Sequence, residues 1–317
     1  MDICVFEWET VCGSDLSPKG LERFGSLRLY GTPRPEEVVG LVGDAEVVLC
    51  SKVRFTKEVL EALPRLRYIG IMATGYNNNV DVSAARERGI TVTNVPDYSA
   101  GAVCQMTLAF LLQFATGLIS YDASVKRGDW VRSPLFCYYP YPMAELEGKT
   151  LGLFGMGSIG GRVARAAEAL GMRVIYHART KKGLPYSFVS RDALFEESDF
   201  LSLHCPLTED TAECINEKSL GRMKKGAYLI NTARGGLVNE RDLAEALKKG
   251  RLAGYAADVL TAEPQREDCP LIGAPNCILT PHVAWAPPET RARLWRVLEE
   301  NLAAYLAGTP KNDVTSH

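Results

Sequence analysis

Short apolar runs alternate with amphipathic segments along the first hundred residues of the chain. We predict strands at the apolar runs, which are residues 3–6, 47–50, 68–72 and 91–93. Helical spacing of apolar positions predicts helices between them, at residues 35–41, 56–63 and 82–87, the last ending at Gly89. This alternation indicates a parallel sheet with both faces covered. Since no glycine-rich loop follows the first strand, we do not expect this region to hold nucleotide phosphates.

A second alternating pattern begins at Lys149 and occupies most of the second half of the chain. Its apolar runs predict six strands, at residues 150–154, 173–177, 200–204, 227–231, 254–259 and 277–280. Helices are predicted between them, notably at residues 159–170 and 240–249. Six strands in this rhythm match a doubly wound dinucleotide-binding domain.

Three further segments complete the predicted organisation. One long helix is expected over residues 100–126, followed by an irregular stretch at residues 130–142 that is rich in proline and aromatic residues. Aromatic residues at this density suggest a buried contact, for example with a second subunit. A final helix over residues 288–307 is expected to return to the first domain.

The predicted fold is therefore α/β, with two doubly wound parallel-sheet domains and a cleft between them. A chain of 317 residues usually exceeds what one core supports. We assign residues 1–99 and 288–317 to a discontinuous, flavodoxin-like substrate domain. Residues 100–287 are assigned to a Rossmann dinucleotide-binding domain.

Composition argues against several classes of function. Lys and Arg number 36 and Asp and Glu number 38, so the net charge of −2 indicates no nucleic-acid or anionic membrane partner. Nine cysteines without C-x-x-C spacing and only four histidines favour free thiols over disulfides or a metal site. No apolar run reaches the ~18–20 residues of a membrane span, and the N-terminus does not resemble a signal peptide. We expect a cytoplasmic protein.

The strongest local motif is Gly155-Met-Gly157-Ser-Ile-Gly160, which lies between a predicted strand and a predicted helix. In this context Gly155 permits the tight turn, Gly157 lets a pyrophosphate approach the backbone, and Gly160 lets helix and strand pack closely. The phosphates would then bind to N–H groups at the helix N-terminus. The alternative is an ordinary strand–helix turn.

The end of the next strand bears on which dinucleotide is bound. NAD-binding domains usually carry an acidic residue there, but Ala178 occupies that position in this chain. Arg179 and the lysines behind it are suited to pair with a 2′-phosphate, which favours NADP over NAD. The alternative is that these are exposed charges and that NAD is bound without the acidic residue.

Three late strands are each followed by a chemically useful side chain: Arg234, Glu263 and His282. Because parallel strands deliver their following loops to one edge of the sheet, we expect the three to meet there. Arg234 is suited to bind a substrate carboxylate and polarise a carbonyl, and His282 to exchange a proton with the oxygen at C2. Glu263 would fix the tautomer of the imidazole. Taken singly, each residue also has an ordinary structural interpretation.

These residues and motifs together resemble the D-isomer-specific 2-hydroxyacid dehydrogenase family over almost the whole chain. The motifs that carry the resemblance are the glycine loop, residues 231–236, 262–264 and 281–285. The resemblance implies that Arg234, Glu263 and His282 are the catalytic set and that Asp258 holds the nicotinamide carboxamide. It also implies a dimer with the long helix and the aromatic loop at the interface.

The predicted site residues fall into two groups. The nucleotide contacts are Gly155, Met156, Gly157, Ser158, Ile159, Gly160, Ala178, Arg179, Thr180, His204, Cys205, Pro206, Thr211, Thr232, Ala233, Arg234, Asp258, His282 and Ala284. The substrate contacts are Lys52, Ala73, Thr74, Gly75, Arg234, His282 and Trp285. By the resemblance, the N–H groups of Thr74 and Gly75 would bind the substrate carboxylate.

Within the family, residues 51–53, 73–75 and 281–285 look most like glycerate dehydrogenases, also called hydroxypyruvate reductases. Trp285 would cap a small pocket and Lys52 would reach a polar substrate tail. A D-lactate-type enzyme, a glyoxylate reductase or an enzyme for a bulkier keto acid is an alternative, and formate and phosphonate oxidoreductases share the scaffold. A nucleotide-sensing protein similar to transcriptional corepressors is an alternative of a different class.

Overall fold

The computed structural model describes residues 1–77 and 79–316. The chain forms two compact units, Met1–Ser99 with Trp285–His317 and Ala100–Ala284. The first unit thus begins its second segment at Trp285, whereas the sequence placed that boundary at residue 288. The predicted fold class is confirmed, since each unit contains a parallel sheet with helices.

The sheet of the first unit has five parallel strands in the order β2-β1-β3-β4-β5. The strands are β1 (Asp2–Val5), β2 (Ser26–Leu29), β3 (Val47–Cys50), β4 (Tyr68–Ile71) and β5 (Thr91–Thr93). This is the 2-1-3-4-5 order of flavodoxin-like folds. Strand β2 was not predicted, because it lies at the sheet edge and its residues are exposed or half-buried.

Six α-helices surround this sheet. They are α1 (Trp8–Cys12), α2 (Lys19–Glu22), α3 (Val38–Val42), α4 (Lys57–Glu61), α5 (Val82–Glu87) and α12 (Pro288–Leu306), and a 3₁₀ turn at Pro35–Glu37 leads into α3. Asp81 starts α5 by accepting a hydrogen bond from the Ala84 N–H at 2.9 Å. Helix α12 belongs to this unit because it buries Leu294, Leu298 and Leu302 in its core.

The sheet of the second unit has seven parallel strands in the order β12-β11-β10-β9-β6-β7-β8. The strands are β6 (Thr150–Phe154), β7 (Arg173–His177), β8 (Ser187–Phe188), β9 (Phe200–Leu203), β10 (Ala227–Asn231), β11 (Leu252–Ala257) and β12 (Cys277–Leu279). The first six strands reproduce the doubly wound order 3-2-1-4-5-6. The six predicted strands are all present, and the two-residue strand β8 was too short to be predicted.

The second unit contains six α-helices. They are α6 (Ala100–Thr116), α7 (Leu118–Lys126), α8 (Ser158–Ala169), α9 (Arg191–Glu197), α10 (Glu217–Arg222) and α11 (Glu240–Lys248), and a 3₁₀ turn covers Gly235–Leu237. Residues 130–142 form no helix or strand, as predicted.

The prediction of a single helix over residues 100–126 is wrong. The chain bends by 60° between α6 and α7 at Gly117, whose φ of 65° is left-handed. The Gln113 side chain accepts a hydrogen bond from the Ile119 N–H at 2.9 Å, which caps the new helix. In the described part of the chain no single helix is long and apolar enough to cross a membrane, although α6 and α7 together would satisfy that test by length and composition.

Candidate active site

The glycine loop joins β6 to α8 at the point where the strand order of the second sheet reverses. Gly155 has a φ of 108°, and a Cβ there would lie 2.5 Å from the backbone carbonyl of His204. A Cβ at Gly160 would lie 2.4 Å from the carbonyl oxygen of Gly155. Both positions therefore require glycine for packing.

Gly157 has a different environment, because a Cβ placed there would meet no atom within 4 Å. Gly157 is the N-cap of α8, and no side chain caps the helix or brings an acidic group into its first turn. The N–H groups of Ser158 and Ile159 have no hydrogen-bond partner in the described structure, and Gly157 before them is exposed. This arrangement fits a phosphate group that approaches the backbone closely.

His204 follows β9, the strand adjacent to β6, and supplies a second feature that fits a bound nucleotide. Its Nε2 lies 2.9 Å from the Ser202 hydroxyl, while its Nδ1 is buried without a hydrogen-bond partner in the described structure. Burial lowers the pKa of His204 to about 4, so the ring is neutral at pH 7. A neutral, unpartnered ring nitrogen beside the glycine loop is suited to a polar ligand.

The loop after β7 presents cations and no carboxylate. Ala178 is half-buried, whereas Arg179 and Thr180 are exposed. The Tyr176 hydroxyl holds the loop at both polar atoms of the Lys182 backbone, donating to its carbonyl at 3.1 Å and accepting from its N–H at 2.8 Å. The Arg179 guanidinium makes no hydrogen bond or ion pair with any residue that the structure describes. It is therefore available to a ligand.

The remaining predicted nucleotide residues have clear structural contacts of their own. Thr211 closes the loop after β9 by donating to the Pro206 carbonyl at 2.7 Å. Cys205 is buried, and burial raises the pKa of its thiol to about 12. The Thr232 hydroxyl forms a 2.9 Å hydrogen bond with Thr107 on α6. These contacts order the edge of the sheet, and the nucleotide-binding roles of the residues stay predictions.

Arg234 is presented by a turn that Asn231 builds at the end of β10. The buried Asn231 side chain accepts from the Ala233 N–H at 3.0 Å and donates to the Arg234 carbonyl at 2.9 Å. The Arg234 side chain is exposed, and its guanidinium donates to the Ala233 carbonyl at 2.7 Å. Asn231 lies in the motif of residues 231–236 but is not among the predicted site residues. An Asx turn directly after a strand is the signal that identifies it.

Gly235 brings the Arg234 loop against the loop that follows β11. A Cβ at Gly235 would lie 1.9 Å from the backbone carbonyl carbon of Leu260, so only glycine allows this approach. The Leu260 N–H donates to Glu263 Oε1 at 3.1 Å. The loops that carry Arg234 and Glu263 are therefore in backbone contact.

Glu263 and His282 meet directly. His282 Nδ1 lies 2.6 Å from Glu263 Oε2, and each side chain is about one-third exposed, at 30% and 31%. A carboxylate at Nδ1 assigns the proton to that nitrogen and leaves Nε2 to face a ligand. In the described structure Nε2 has no hydrogen-bond partner. The predicted contact between these two side chains is present.

Asp258 holds the loop that carries His282. Its buried carboxylate accepts from the Thr280 hydroxyl at 2.6 Å and from the N–H groups of Val283 and Ala284 at 2.9 and 2.8 Å. His282 adopts a φ of 54°, which is unusual for a residue other than glycine. The loop is therefore fixed from both sides of the histidine. The nicotinamide role of Asp258 stays a prediction, and loop positioning is a role that the sequence did not suggest.

The predicted substrate residues other than Arg234 and His282 belong to the first unit. The loop after β4 is held by hydrogen bonds from the Thr74 hydroxyl to the Val95 carbonyl at 2.9 Å and from the Asn94 amide to the Thr74 carbonyl at 2.7 Å. The Ala73 carbonyl accepts from the Val95 N–H at 3.0 Å. The N–H groups of Thr74 and Gly75 donate to no residue within 1–77 and 79–316, so they are free for an anion.

Two other predicted substrate residues differ in exposure. Lys52 is exposed after β3, and its ammonium has no partner among the described residues. Trp285 is half-buried and packs against the core of the first unit. Its packing contact accounts for its position, and its role as a cap on a substrate pocket stays a prediction.

Comparison with known proteins identifies the family. The sequence profile described as "D-isomer specific 2-hydroxyacid dehydrogenase, NAD binding domain" matches residues 108–284. The chain is 39% identical to a hydroxypyruvate reductase from Blautia hydrogenotrophica, with 99% of each chain covered. It is 41% identical to a glycerate dehydrogenase from Methylorubrum extorquens, with 88% of each covered.

A solved structure agrees with these relatives. The NADPH-dependent glyoxylate/hydroxypyruvate reductase from Sinorhizobium meliloti, in complex with NADP and malonate, superposes with a TM-score of 0.84 at 31% identity. The match covers 99% of this chain and 96% of that one. The chain therefore belongs to the D-isomer-specific 2-hydroxyacid dehydrogenase family and is an oxidoreductase that uses a nicotinamide dinucleotide.

Proposed function

We propose that this protein reduces hydroxypyruvate to D-glycerate, with glyoxylate as a second substrate. The observation that carries the proposal is the 2.6 Å contact between His282 and Glu263 at the carboxyl ends of neighbouring strands. It is supported by relatives named hydroxypyruvate reductase and glycerate dehydrogenase at 39% and 41% identity.

The chemistry needs a proton donor and a cation. When bound, the reduced nicotinamide supplies the hydride that C2 of the keto acid receives. In the direction of reduction His282 enters the step as an imidazolium and donates its Nε2 proton to the C2 oxygen. Glu263 keeps Nδ1 protonated, so the ring leaves the step neutral. Arg234 stabilises the negative charge that develops on that oxygen and pairs with the substrate carboxylate. In the reverse direction His282 accepts the proton.

Taken by itself, the first unit carries groups that suit a small hydroxylated keto acid. The free N–H groups of Thr74 and Gly75 are suited to a carboxylate, as backbone N–H groups are in other anion sites. The Lys52 ammonium is suited to the C3 hydroxyl of hydroxypyruvate, which glyoxylate lacks. These roles make hydroxypyruvate the better substrate.

The proposal is tested by initial rates with hydroxypyruvate, glyoxylate, pyruvate and a bulky keto acid, each with NADH and with NADPH. We expect the highest kcat/KM for hydroxypyruvate, a lower value for glyoxylate and little turnover of the bulky acid. Preference for pyruvate would replace the proposed substrate by lactate. Absence of turnover with every acid would overturn the enzymatic function.

We also propose that NADPH is preferred to NADH. Ala178 leaves no carboxylate to bind the ribose 2′-OH, and the exposed Arg179 and Lys181 follow it directly. Tyr176 holds this loop by two hydrogen bonds, so the cations are kept near the end of β7. Guanidinium groups bind phosphate through paired, charge-assisted hydrogen bonds.

Arg179→Ala tests this preference. We expect the dissociation constant for NADPH to rise roughly ten- to a hundred-fold, because a charge-assisted contact is lost. The constant for NADH should change little. Fluorescence titration of both cofactors measures the two values, and Arg241→Ala, an exposed arginine on α11, is the matched control. Equal weakening of both cofactors would remove the case for 2′-phosphate recognition.

The protein is proposed to form a homodimer through α7 and the irregular stretch after it. Seven large apolar or aromatic side chains of this segment are between 48% and 91% exposed in the single chain: Leu118, Ile119, Trp130, Val131, Leu135, Phe136 and Tyr139. So many exposed large apolar side chains within one segment are uncommon on a monomer and typical of an interface.

The double variant Val131→Asp/Phe136→Asp is expected to be monomeric, because two carboxylates would be buried at the interface without partners. Sedimentation velocity at micromolar concentration measures the change in mass. Ile272→Asp changes another exposed apolar residue of the same unit and should leave the dimer intact. A wild type that sediments as a monomer would contradict the proposed assembly.

A further inference from the structure

Glu7 is a buried acidic residue in the first unit that the sequence did not single out. It lies two residues after the end of β1, is 4% exposed and adopts a left-handed backbone with a φ of 56°. Its Oε2 accepts hydrogen bonds from two consecutive N–H groups, those of Ser51 at 2.6 Å and Lys52 at 2.7 Å. Glu7 thus binds the start of the loop that carries Lys52.

The identity of residue 7 is not explained by the turn alone. A left-handed turn is satisfied most easily by glycine or asparagine, and a buried carboxylate is costly unless it is hydrogen-bonded. Among the described residues Glu7 forms no ion pair, and its carboxylate accepts hydrogen bonds from the two N–H groups. We therefore attribute the glutamate at this position to its hydrogen bonds with the N–H groups of Ser51 and Lys52.

A further hydrogen bond holds the same loop. The Asn79 amide donates to the Ser51 carbonyl at 2.8 Å. The backbone before Lys52 is thus held at its N–H groups by Glu7 and at a carbonyl by Asn79, while the Lys52 side chain remains exposed and unpartnered in the described structure. Because the backbone of this loop is held by hydrogen bonds, the positions that the Lys52 ammonium can reach are restricted.

The sheet register shows which loop starts next to the loop that carries Lys52. Strands β3 and β4 are paired neighbours, with Cys50 opposite Ile71. Lys52 is two residues after Cys50 in the sequence, and Thr74 is three residues after Ile71. Their loops therefore leave the same edge of the sheet, from neighbouring strands about 4.8 Å apart. The free N–H groups of Thr74 and Gly75 belong to the second of these loops.

We infer that Glu7 is a positioning residue that sets substrate selectivity by holding Lys52 beside the N–H groups of Thr74 and Gly75. The inference rests on the proposed function. With Lys52 held there, a keto acid whose carboxylate binds those N–H groups presents its tail hydroxyl to the ammonium. Glu7 therefore favours acids with a polar tail over glyoxylate, which has none.

Glu7→Gln tests this role, since the amide keeps the shape and one acceptor oxygen and removes the charge. We expect the KM for hydroxypyruvate to rise roughly ten-fold, because two charge-assisted hydrogen bonds become neutral ones and Lys52 is held less firmly. The kcat for hydroxypyruvate and the KM for glyoxylate should change by less than about two-fold. Glu9→Gln, an exposed glutamate on α1, is the matched control.

A double-variant comparison separates positioning from a general loss of stability. Lys52→Met should raise the KM for hydroxypyruvate by itself, and adding Glu7→Gln to it should raise the KM no further, because Glu7 acts through Lys52. Hydrogen exchange at the Ser51 and Lys52 amides should accelerate in Glu7→Gln. This readout needs no turnover, so it decides whether Glu7 holds the loop even if the proposed substrate is wrong.

The outcomes are distinguishable. If the wild type reduces hydroxypyruvate but Glu7→Gln changes the KM for both acids equally, the inference is overturned and the proposed function stands. The same holds if the effects of Glu7→Gln and Lys52→Met on the KM multiply in the double variant. Unchanged exchange at the two amides would overturn it as well. A wild type that reduces neither acid would overturn the proposed function and the selectivity role together.

Discussion

Replacing His282 by asparagine is expected to lower kcat for hydroxypyruvate reduction by about 10²–10⁴-fold, the range typical of a general acid. The variant loses the imidazole whose Nδ1 lies 2.6 Å from Glu263 and whose Nε2 is free to protonate the substrate. Asparagine is chosen because His282 has a φ of 54°, which asparagine tolerates better than alanine does. Steady-state kinetics with saturating cofactor measure the loss.

We expect this variant to fold and to bind the cofactor. Asp258 holds the loop through Thr280, Val283 and Ala284, none of which is altered. The glycine loop follows β6, which is not adjacent to β12 in the sheet. The dissociation constant for NADPH should therefore stay within about two- to three-fold of the wild type. Retention of more than a tenth of the wild-type kcat would contradict the role of His282 as proton donor.

The parts of this site that could be predicted from the sequence are those with a local pattern. The segment from β6 through the glycine loop to α8 follows from apolar periodicity and three glycines within six residues. The positions of Arg234, Glu263 and His282 at one edge follow from the rule that parallel strands end on the same side. The pairing of Glu263 with His282 could be predicted because a carboxylate and an imidazole attract each other and both follow late strands of the same parallel sheet.

The features that could not be predicted depend on contacts distant in sequence or on weak patterns. Gly235 is required because its loop touches Leu260, 25 residues later, and Glu7 matters because it reaches Ser51. Strand β2 is exposed along its edge and lacks the apolar run that marks the other strands. The break at Gly117 lies inside an apolar pattern with helical spacing. Because this pattern continues on both sides of the glycine, it predicts one helix where the structure has two.

Arg234→Lys is expected to lower kcat/KM for hydroxypyruvate by about 10²–10³-fold, the loss typical of removing one preorganised group that stabilises an oxyanion. Lysine keeps the positive charge but lacks the planar fork that binds a carboxylate and a carbonyl oxygen together. The backbone should be unaffected, because Asn231 holds this turn through main-chain atoms of Ala233 and Arg234.

Steady-state kinetics of Arg234→Lys separate the effect of the planar guanidinium from the effect of the positive charge. Initial rates over a range of hydroxypyruvate give kcat and KM, and we expect both to worsen because the guanidinium acts on the bound acid and on the developing oxyanion. Arg241→Lys on α11 is the control for a general effect of the substitution. Near-normal kinetics in Arg234→Lys would show that charge alone suffices at this position. That result would assign the recognition of the carboxylate to groups other than this guanidinium.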